Sequence, residues 1–191
     1  LLLILILFLN CSSKNDFFET TVEENHMGTV FQITALHTDI DSANLAVKKA
    51  YEEVVRIENL ISSWKDDSET TLINKNAGIS PVKVSEELFY LIERSLKVSK
   101  LTNGVFDISF ASIDKIWHFD GSMKSLPDSS EVAVSVSKIN YEDIVLNAEY
   151  KTVFLKKEGM KIGFGAIGKG YAANRCKAIM QKYGIENGVV N

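Results

Sequence analysis

The residues whose types and spacing most clearly suggest a chemical role lie in a glycine-rich stretch, GFGAIGKGY, at positions 163–171. The sequence pattern predicts a strand that leads into this stretch and a helix that leaves it. Glycines at such a junction allow positive φ angles and let backbone N–H groups approach a ligand closely. The partial positive charge of a helix N-terminus, together with the ammonium group of Lys169, would hold a phosphate or a diphosphate.

Two other interpretations of this stretch stay open on the residues alone. Gly163, Gly168 and Lys169 nearly satisfy the nucleotide-binding pattern G-x-x-x-x-G-K-[ST], but Gly170 stands where that pattern needs a hydroxyl for Mg²⁺. A P-loop enzyme is therefore the weaker alternative. The other alternative has no ligand at all: a glycine-rich helix start that carries a surface lysine.

Composition and charge describe an ordinary globular protein. The chain has 191 residues, a formal net charge of −4, 46% hydrophobic residues and 24% charged residues. This balance supports one sizeable core, or one core and a small second lobe. A nucleic-acid-binding surface needs a basic stripe, which the sequence does not show.

The first residues predict a membrane attachment. An unbroken apolar run covers residues 1–9, and Cys11 and a short polar stretch follow it. The run is far shorter than the ~20 residues that span a bilayer, and it matches the apolar part of a secretory signal. We expect residues 1–11 to be the remnant of a lipoprotein signal, Cys11 to carry the lipid on the periplasmic side of a bacterial envelope, and residues 12–24 to form a tether. The alternative is a chain that starts inside a buried strand or helix.

Hydrophobic periodicity predicts the elements that position these residues. Apolar residues recur at helical spacing over residues 43–63, 85–102, 130–139 and 167–183. Strands are predicted over residues 28–36, 144–146, 153–155, 161–164 and 188–191, and turns over residues 64–76. The prediction is an α+β (mixed α/β) fold, with long amphipathic helices packed on a mixed, largely antiparallel sheet. Cys176, inside the last helix, is expected to be a small buried core residue.

Five segments, in this order along the chain, resemble the FAD:protein FMN transferase family, which is ApbE-like and was once described as thiamine-biosynthesis lipoproteins. They are Met27-Gly28-Thr29, the run from Ile61 to Asn74 around Trp64, Gly104 to Ser109 followed by Ile116 to Phe119, Gly165 to Ala172, and Gly184 to Asn191. The resemblance covers residues 25–191 and implies the N-terminal portion of an ApbE-like domain, with an incomplete fold. A lipoprotein-like start is also typical of that family.

The resemblance implies residues that bind FAD. Met27 matches a methionine that lies against the flavin nucleotide, and Trp64 matches an aromatic position that contacts FAD. The sequence alone favours Trp64 as an anchor for the end of the long helix. Val105, Phe106 and Asp107 match the segment around the adenosine half, where Asp107 could accept a hydrogen bond from ribose or adenine. Phe106 is equally suited to the core.

In the glycine-rich stretch, Lys169 matches the FAD-binding lysine, and Ala166 matches a position whose backbone carbonyl is a ligand of Mg²⁺. Gly163 stands where the family has an acidic contact to FAD, and Asn174 stands where an Asp is common. Loss of the carboxylate at residue 163 removes a charged hydrogen bond that contributes on the order of 1.5–3 kcal/mol. His118 replaces a Gly and is expected to be a hydrogen-bonded core residue, whereas the other two histidines, His26 and His37, are expected to be solvated.

The implied activity is a Mg²⁺-dependent transfer of FMN from FAD to a Thr or Ser hydroxyl of a partner flavoprotein, with release of AMP. The targets would be membrane redox subunits. The remaining Mg²⁺ ligands and a histidine often assigned a catalytic role are expected beyond Asn191, so residues 25–191 would supply much of the FAD pocket but not a working active site. The alternative is a non-catalytic flavin-binding lipoprotein, a degenerate or fragmentary copy.

Overall fold

The computed structural model describes residues 16–113, 116–117 and 121–191. The predictions made for Cys11 as a lipid anchor and for His118 as a core residue lie outside these ranges. No helix within the described ranges is both long and apolar enough to cross a membrane.

A β-hairpin opens the described part of the chain. Strand β1 spans Phe18–His26 and strand β2 spans Thr29–His37, and they pair antiparallel around a two-residue turn of Met27 and Gly28. The strand predicted over residues 28–36 is confirmed as β2. A tether was expected over residues 12–24, but residues 18–24 lie in β1. Because β1 is an edge strand with a largely exposed surface, it tolerates charged residues. These charged residues are the reason why the sequence did not predict a strand here.

The described residues form five α-helices. They are α1 (Ile40–Ile61), α2 (Glu69–Lys75), α3 (Glu86–Leu101), α4 (Ser129–Val136) and α5 (Gly168–Lys182). The side chains of Asp39, Ser68, Ser85 and Asp128 cap the first four helices by accepting a backbone N–H. Four helices were predicted, whereas α2 lies where the sequence predicted turns. The seven residues of α2 are too few to show a periodic pattern.

Two three-stranded sheets complete the described fold. The remaining strands are β3 (Val82–Lys83), β4 (Ile144–Asn147), β5 (Thr152–Leu155) and β6 (Asn187–Val190). The strand order is β1-β2-β6 in one sheet and β3-β5-β4 in the other, and all of these pairs are antiparallel. The α+β fold with largely antiparallel sheets is therefore confirmed. Strand β3, with two residues, is too short to be predicted from alternation.

The strand predicted over residues 161–164 is wrong, because these residues belong to neither sheet. The Asn74 side chain accepts from the N–H of Ile162 at 2.8 Å and donates to its carbonyl at 3.0 Å. The Ser112 hydroxyl donates to the Lys161 carbonyl and accepts from the Lys161 N–H, both at 2.9 Å. These side chains satisfy backbone groups that a neighbouring strand would otherwise satisfy.

Helix α5 packs along α1. A Cβ at Gly168 would lie 2.6 Å from Cδ1 of Ile61, so glycine allows the close approach of the two helix ends. Further along α5, the buried thiol of Cys176 lies 3.4 Å from the Ala50 carbonyl, and burial raises the pKa of this thiol to about 12. The prediction that Cys176 is a small buried core residue is confirmed.

Candidate functional site

The glycine-rich stretch forms a tight turn ahead of α5. The N–H of Gly163 donates to the Ile108 carbonyl at 2.9 Å, and the Phe164 carbonyl accepts from Ile167 at 3.1 Å and from Gly168 at 2.7 Å. Ile167 occupies the N-cap position of α5 and makes no side-chain capping bond. Of the five helices described, α5 alone lacks a side-chain cap. No capping side chain therefore offsets the partial positive charge of this helix end.

Three adjoining cavities surround this turn. The hairpin cavity, of about 380 Å³, lies between the β1–β2 turn, the end of α1 and the start of α5, and its wall includes Met27, Glu58, Trp64, Lys65, Gly165 and Lys169. The aromatic cavity, of about 1180 Å³, is lined among others by Trp64, Asn74, Lys75, Phe110, Trp117, Lys161 and Gly165. The small cavity, of about 230 Å³, is lined by residues 105–108, 110, 163, 166 and 167. Shared wall residues join each cavity to the next.

Every residue that the sequence assigned to FAD or Mg²⁺ lines one of these cavities. The hairpin cavity contains Met27, Trp64 and Lys169. The small cavity contains Val105, Phe106, Asp107, Gly163 and Ala166, and Gly163 also lines the aromatic cavity. The fold therefore brings residues from four distant segments around one turn, while their individual binding roles stay predictions.

Trp64 is largely exposed. This residue is 77% exposed, so it does not belong to the buried core, while its role in contacting FAD or in anchoring the end of α1 stays a prediction. An indole ring that borders two cavities offers a π-face for stacking on a planar ligand ring. In the segment before Asp107, Phe106 is partly buried against the core, whereas Val105 is exposed.

The carboxylate of Asp107 shapes the wall of the small cavity. One oxygen accepts from the backbone N–H and the hydroxyl of Ser109, both at 2.7 Å. The other oxygen accepts from the backbone N–H of Tyr141 at 2.9 Å. These bonds start the 3₁₀ turn Ile108–Ser112 and use most of the acceptor capacity of the carboxylate. The carboxylate of Asp107 therefore has a structural role, and it would accept a hydrogen bond from a ligand in addition to these bonds.

Positive charge is concentrated around the turn. Lys65 and Lys169 line the hairpin cavity, and Lys75 and Lys161 line the aromatic cavity. Of these lysines, Lys75 is paired with the exposed Asp66 at 2.9 Å, and Lys65 lies 3.9 Å from Glu58. Lys residues at concave surfaces raise the local concentration of anionic ligands. The described site thus suits a ligand that combines planar rings with phosphate groups.

The sequence missed a polar cluster at the edge of the hairpin cavity. Nδ1 of His26 lies 3.1 Å from Oε2 of Glu58, and Nε2 lies 3.1 Å from Oε2 of Glu24. The His26 side chain is 14% exposed, so the prediction of a solvated residue is wrong for His26, although His37 is bonded only locally at the surface. The 32 positions that separate His26 from Glu58 leave no local pattern from which the pair could be recognised.

Burial and charge act in opposite directions on this cluster. Burial alone would lower the pKa of His26, but the hydrogen bonds to Glu24 and Glu58 outweigh it and raise the pKa above 6.5. Burial would raise the pKa of Glu58, but the Met27 N–H, His26 and the nearby Lys65 lower it overall. Protonation of His26 and ionisation of Glu58 therefore favour each other.

The described residues do not by themselves fit a Mg²⁺ site. Within residues 16–113, 116–117 and 121–191, no three His, Cys, Asp or Glu side chains are grouped to hold a metal ion. Ala166 offers a backbone carbonyl in the wall of the small cavity. Because Mg²⁺ requires a near-octahedral set of oxygens, one carbonyl is insufficient.

The P-loop alternative disagrees with the fold. A P-loop joins a strand of the sheet to the following helix. Here residues 161–164 belong to neither sheet, and the pairs in both described sheets are antiparallel. Gly170, which lacks the hydroxyl of the P-loop pattern, lies in the first turn of α5.

Comparison with known proteins points to one family. The model of the ApbE family matches residues 27–191. A protein from Klebsiella pneumoniae (strain 342), named FAD:protein FMN transferase, is 27% identical over 143 residues, which cover 75% of this chain and 45% of the relative. A protein of the same name from Buchnera aphidicola subsp. Schizaphis graminum is 26% identical over 189 residues, which cover 95% of this chain and 54% of the relative. The chain spans about half the length of these curated relatives.

Solved structures agree with the fold. The ApbE protein from Thermotoga maritima aligns with a TM-score of 0.79 and 25% identity, over 92% of this chain and 56% of the other. The flavin transferase ApbE from Vibrio cholerae aligns with a TM-score of 0.81 and 18% identity, over 92% of this chain and 57% of the other. At the lower identity, the likeness concerns the fold alone.

Proposed function

Because the chain belongs to the ApbE family, we propose that it forms part of a transferase that moves FMN from FAD to a partner flavoprotein. The Klebsiella and Buchnera relatives carry the name of this activity. The observation that carries the proposal is the uncapped start of α5, where Lys169 lines one cavity with Met27 and the exposed Trp64. A cationic turn with ring-sized cavities beside it suits a diphosphate that links two ring systems.

Each group at the turn has a role in binding FAD under this proposal. Lys169 and the N-terminus of α5 neutralise the diphosphate. Trp64 stacks on a planar ring of the dinucleotide, and Met27 contacts the flavin nucleotide. The segment Val105 to Asp107 lies beside the adenosine half, in the small cavity.

The transfer step that we propose is an in-line displacement at phosphorus. A Thr or Ser hydroxyl oxygen of the partner attacks the phosphorus of the FMN half and forms a new P–O bond. The bond between that phosphorus and the bridging oxygen breaks, AMP leaves with the bridging oxygen, and the hydroxyl proton passes to a base. Lys169 and the helix N-terminus stabilise the negative charge that develops on the diphosphate oxygens.

Mg²⁺ dependence is part of the same proposal, with the carbonyl of Ala166 as one ligand. When bound, the metal would add charge neutralisation at the diphosphate. The described residues do not complete the coordination shell of the metal. The roles assigned above to Lys169 and Trp64 do not require the metal.

Covalent labelling of a target tests the proposal. The full-length protein is incubated with FAD, Mg²⁺ and a flavoprotein that carries an acceptor threonine, and flavin fluorescence on the target is read after denaturing electrophoresis. We expect a labelled target with the wild type and a labelling rate reduced by about tenfold to hundredfold in Lys169→Ala. Lys97→Ala, an exposed lysine on α3 that lines none of the three cavities, serves as the matched control.

A non-catalytic flavin-binding lipoprotein is the second candidate, and Gly163 is the observation that favours it. The resemblance to the family implies an acidic contact to FAD at this position. Here no carboxylate is present, and a Cβ at residue 163 would lie 3.0 Å from Cβ of Ala111. Bound FAD together with an unlabelled target in the assay above would favour this second function over the transferase.

We also propose attachment to the periplasmic face of a bacterial membrane through a lipid on Cys11. The apolar run at residues 1–9 and the polar residues after Cys11 support this assignment. Because β1 begins at Phe18, the tether would comprise residues 12–17. Cell fractionation tests the idea: the wild type should sediment with membranes and Cys11→Ser should not. Equal sedimentation of both proteins would exclude the lipid anchor.

A further inference from the structure

The turn of the β1–β2 hairpin holds Met27 in an unusual conformation. His26 pairs with Thr29, so Met27 and Gly28 are the only residues between the paired positions. Both have positive φ angles, +51° for Met27 and +72° for Gly28. Two-residue hairpins favour positive φ at both positions, but Asn, Asp or Gly normally occupies the first of them. A methionine at this position has an unusual backbone conformation, and we therefore ask whether Met27 has a functional role.

A carboxylate from another element holds this turn. Oε1 of Glu58 accepts from the backbone N–H of Met27 at 2.8 Å. Glu58 lies near the C-terminal end of α1, 31 residues along the chain, and is 23% exposed. Its second oxygen lies 3.1 Å from Nδ1 of His26 and 3.9 Å from Nζ of Lys65. One side chain therefore ties the hairpin turn to the end of α1.

The charge of Glu58 requires explanation, because Glu58 lines the same cavity as Lys169. An uncompensated carboxylate at this place would repel a diphosphate. Lys65 supplies compensating positive charge, and His26 adds to it when its ring is protonated. With its charge offset, the contribution left to Glu58 at this place is the hydrogen bond that it accepts from the Met27 N–H.

We propose that Glu58 is a positioning residue for the flavin nucleotide, which acts by fixing the backbone of Met27 at the edge of the hairpin cavity. This inference rests on the proposed function, because the flavin nucleotide is the ligand that Met27 would contact. Glu58 takes no part in bond making. The hydrogen bond keeps the Met27 side chain, which is partly buried against the core, in the cavity wall.

Two conservative variants separate the hydrogen bond from the charge. Glu58→Gln keeps an oxygen at the same reach and loses the charge, whereas Glu58→Asp keeps the charge but is one methylene too short for the Met27 N–H. Positioning predicts that Glu58→Asp raises the Kd for FAD by about tenfold, while Glu58→Gln stays within about threefold of the wild type. A role of the charge alone predicts the reverse order.

The turn itself is monitored without ligand by amide hydrogen exchange in the full-length protein. Exchange at the Met27 amide should be about tenfold faster in Glu58→Asp than in the wild type and nearly unchanged in Glu58→Gln. Glu52→Asp is the matched control, since Glu52 is exposed on the same helix and pairs only with Lys49 among the described residues. Its Kd and its exchange at Met27 should equal those of the wild type.

The possible failures are distinguishable. A wild type that binds FAD, with unchanged affinity in Glu58→Asp, overturns the positioning role and leaves the proposed function intact. Loss of affinity in Glu58→Gln but not in Glu58→Asp also overturns it. A wild type that does not bind FAD overturns the proposed function and, with it, the assignment of a flavin nucleotide to this turn.

Discussion

At the scale of single residues, Asn74 determines the path of the chain into the glycine-rich turn. Its side chain makes two hydrogen bonds to the backbone of Ile162, at 2.8 and 3.0 Å. The next residue along, Gly163, donates to the Ile108 carbonyl. The bonds from Asn74 and the bond to Ile108 satisfy backbone groups of residues 161–164, for which the apolar pattern had predicted strand pairing. Asn74 thus has a structural role at the wall of the aromatic cavity.

Replacement of Asn74 by alanine should lower the free energy of unfolding by about 1–3 kcal/mol, because two part-buried backbone groups lose their partners. Equilibrium unfolding in urea measures the change. Lys75→Ala on the same helix is the control, since its ion pair with the exposed Asp66 contributes little. Equal losses in the two variants would contradict the role assigned to Asn74.

The His26 cluster predicts a pH dependence of stability. The hydrogen bonds to Glu24 and Glu58 raise the pKa of His26 above 6.5 in the folded protein, despite burial. The stabilisation by protonated His26 is therefore complete below pH 6.5 and is lost as the pH rises through the raised value. The free energy of unfolding should fall as the pH rises above 6.5, and the fall should be smaller in His26→Gln. Identical pH profiles for the two proteins would contradict this account.

The residue types alone identified part of the site. A lysine among glycines at a helix start predicted an anion site, and the structure places Lys169 in the wall of the hairpin cavity beside an uncapped helix. The bond from Glu58 to Met27 could not be predicted, because it joins residues 31 positions apart and neither residue type favours such a bond. Trp64 shows the same limit: its exposure is visible only in the fold, and its two possible roles stay predictions.

At the scale of elements, a charged network joins α5 to α1 and α3. Arg56 on α1 bonds to Glu53 on the same helix and to Glu87 on α3. Arg175 on α5 bonds to Glu53 at 2.9 Å, and the hydroxyl of Tyr171 donates to Glu87 at 2.6 Å. Because Tyr171 lies two residues after Lys169, the network also fixes the start of α5.

Glu53 should stabilise this network strongly at neutral pH. Hydrogen bonds from Arg56, opposed by burial and reinforced by Arg175, lower the pKa of Glu53 from 4.5 to about 2. Its contribution is present above pH 4.5 and is lost as the pH falls toward 2. Glu53→Gln should lower the free energy of unfolding at pH 7 by about 1–3 kcal/mol, with a smaller difference near pH 2. Glu52→Gln, at an exposed ion pair, should change it by less than about 1 kcal/mol.

The sequence predicted the long helices, α4 and the four-residue strands β4, β5 and β6, but not α2 or β3. Helices α1, α3 and α5 each have enough turns to show a periodic apolar face. The seven residues of α2 and the two residues of β3 are too few for a pattern. Strand β1 was missed for another reason: its pairing with β2 is a tertiary feature, and its charged, largely exposed sequence resembles a tether.

At the scale of the whole molecule, the fold collects distant segments around the start of α5. The hairpin turn, the end of α1, the segment 105–107 and the glycine-rich turn line three adjoining cavities. The chain has a net charge of −4, but lysines line the hairpin cavity and the aromatic cavity. A phosphate-bearing ligand is therefore attracted to this place rather than to the molecular surface in general.

FAD binding by the full-length protein tests the central claim most directly, because the claim is that Lys169 and the start of α5 bind a diphosphate. Titration followed by flavin fluorescence should give saturable binding by the wild type, with a Kd raised by about tenfold to hundredfold in Lys169→Ala and unchanged in Lys97→Ala. Equal affinities in the wild type and Lys169→Ala, or no binding by the wild type, would contradict the account.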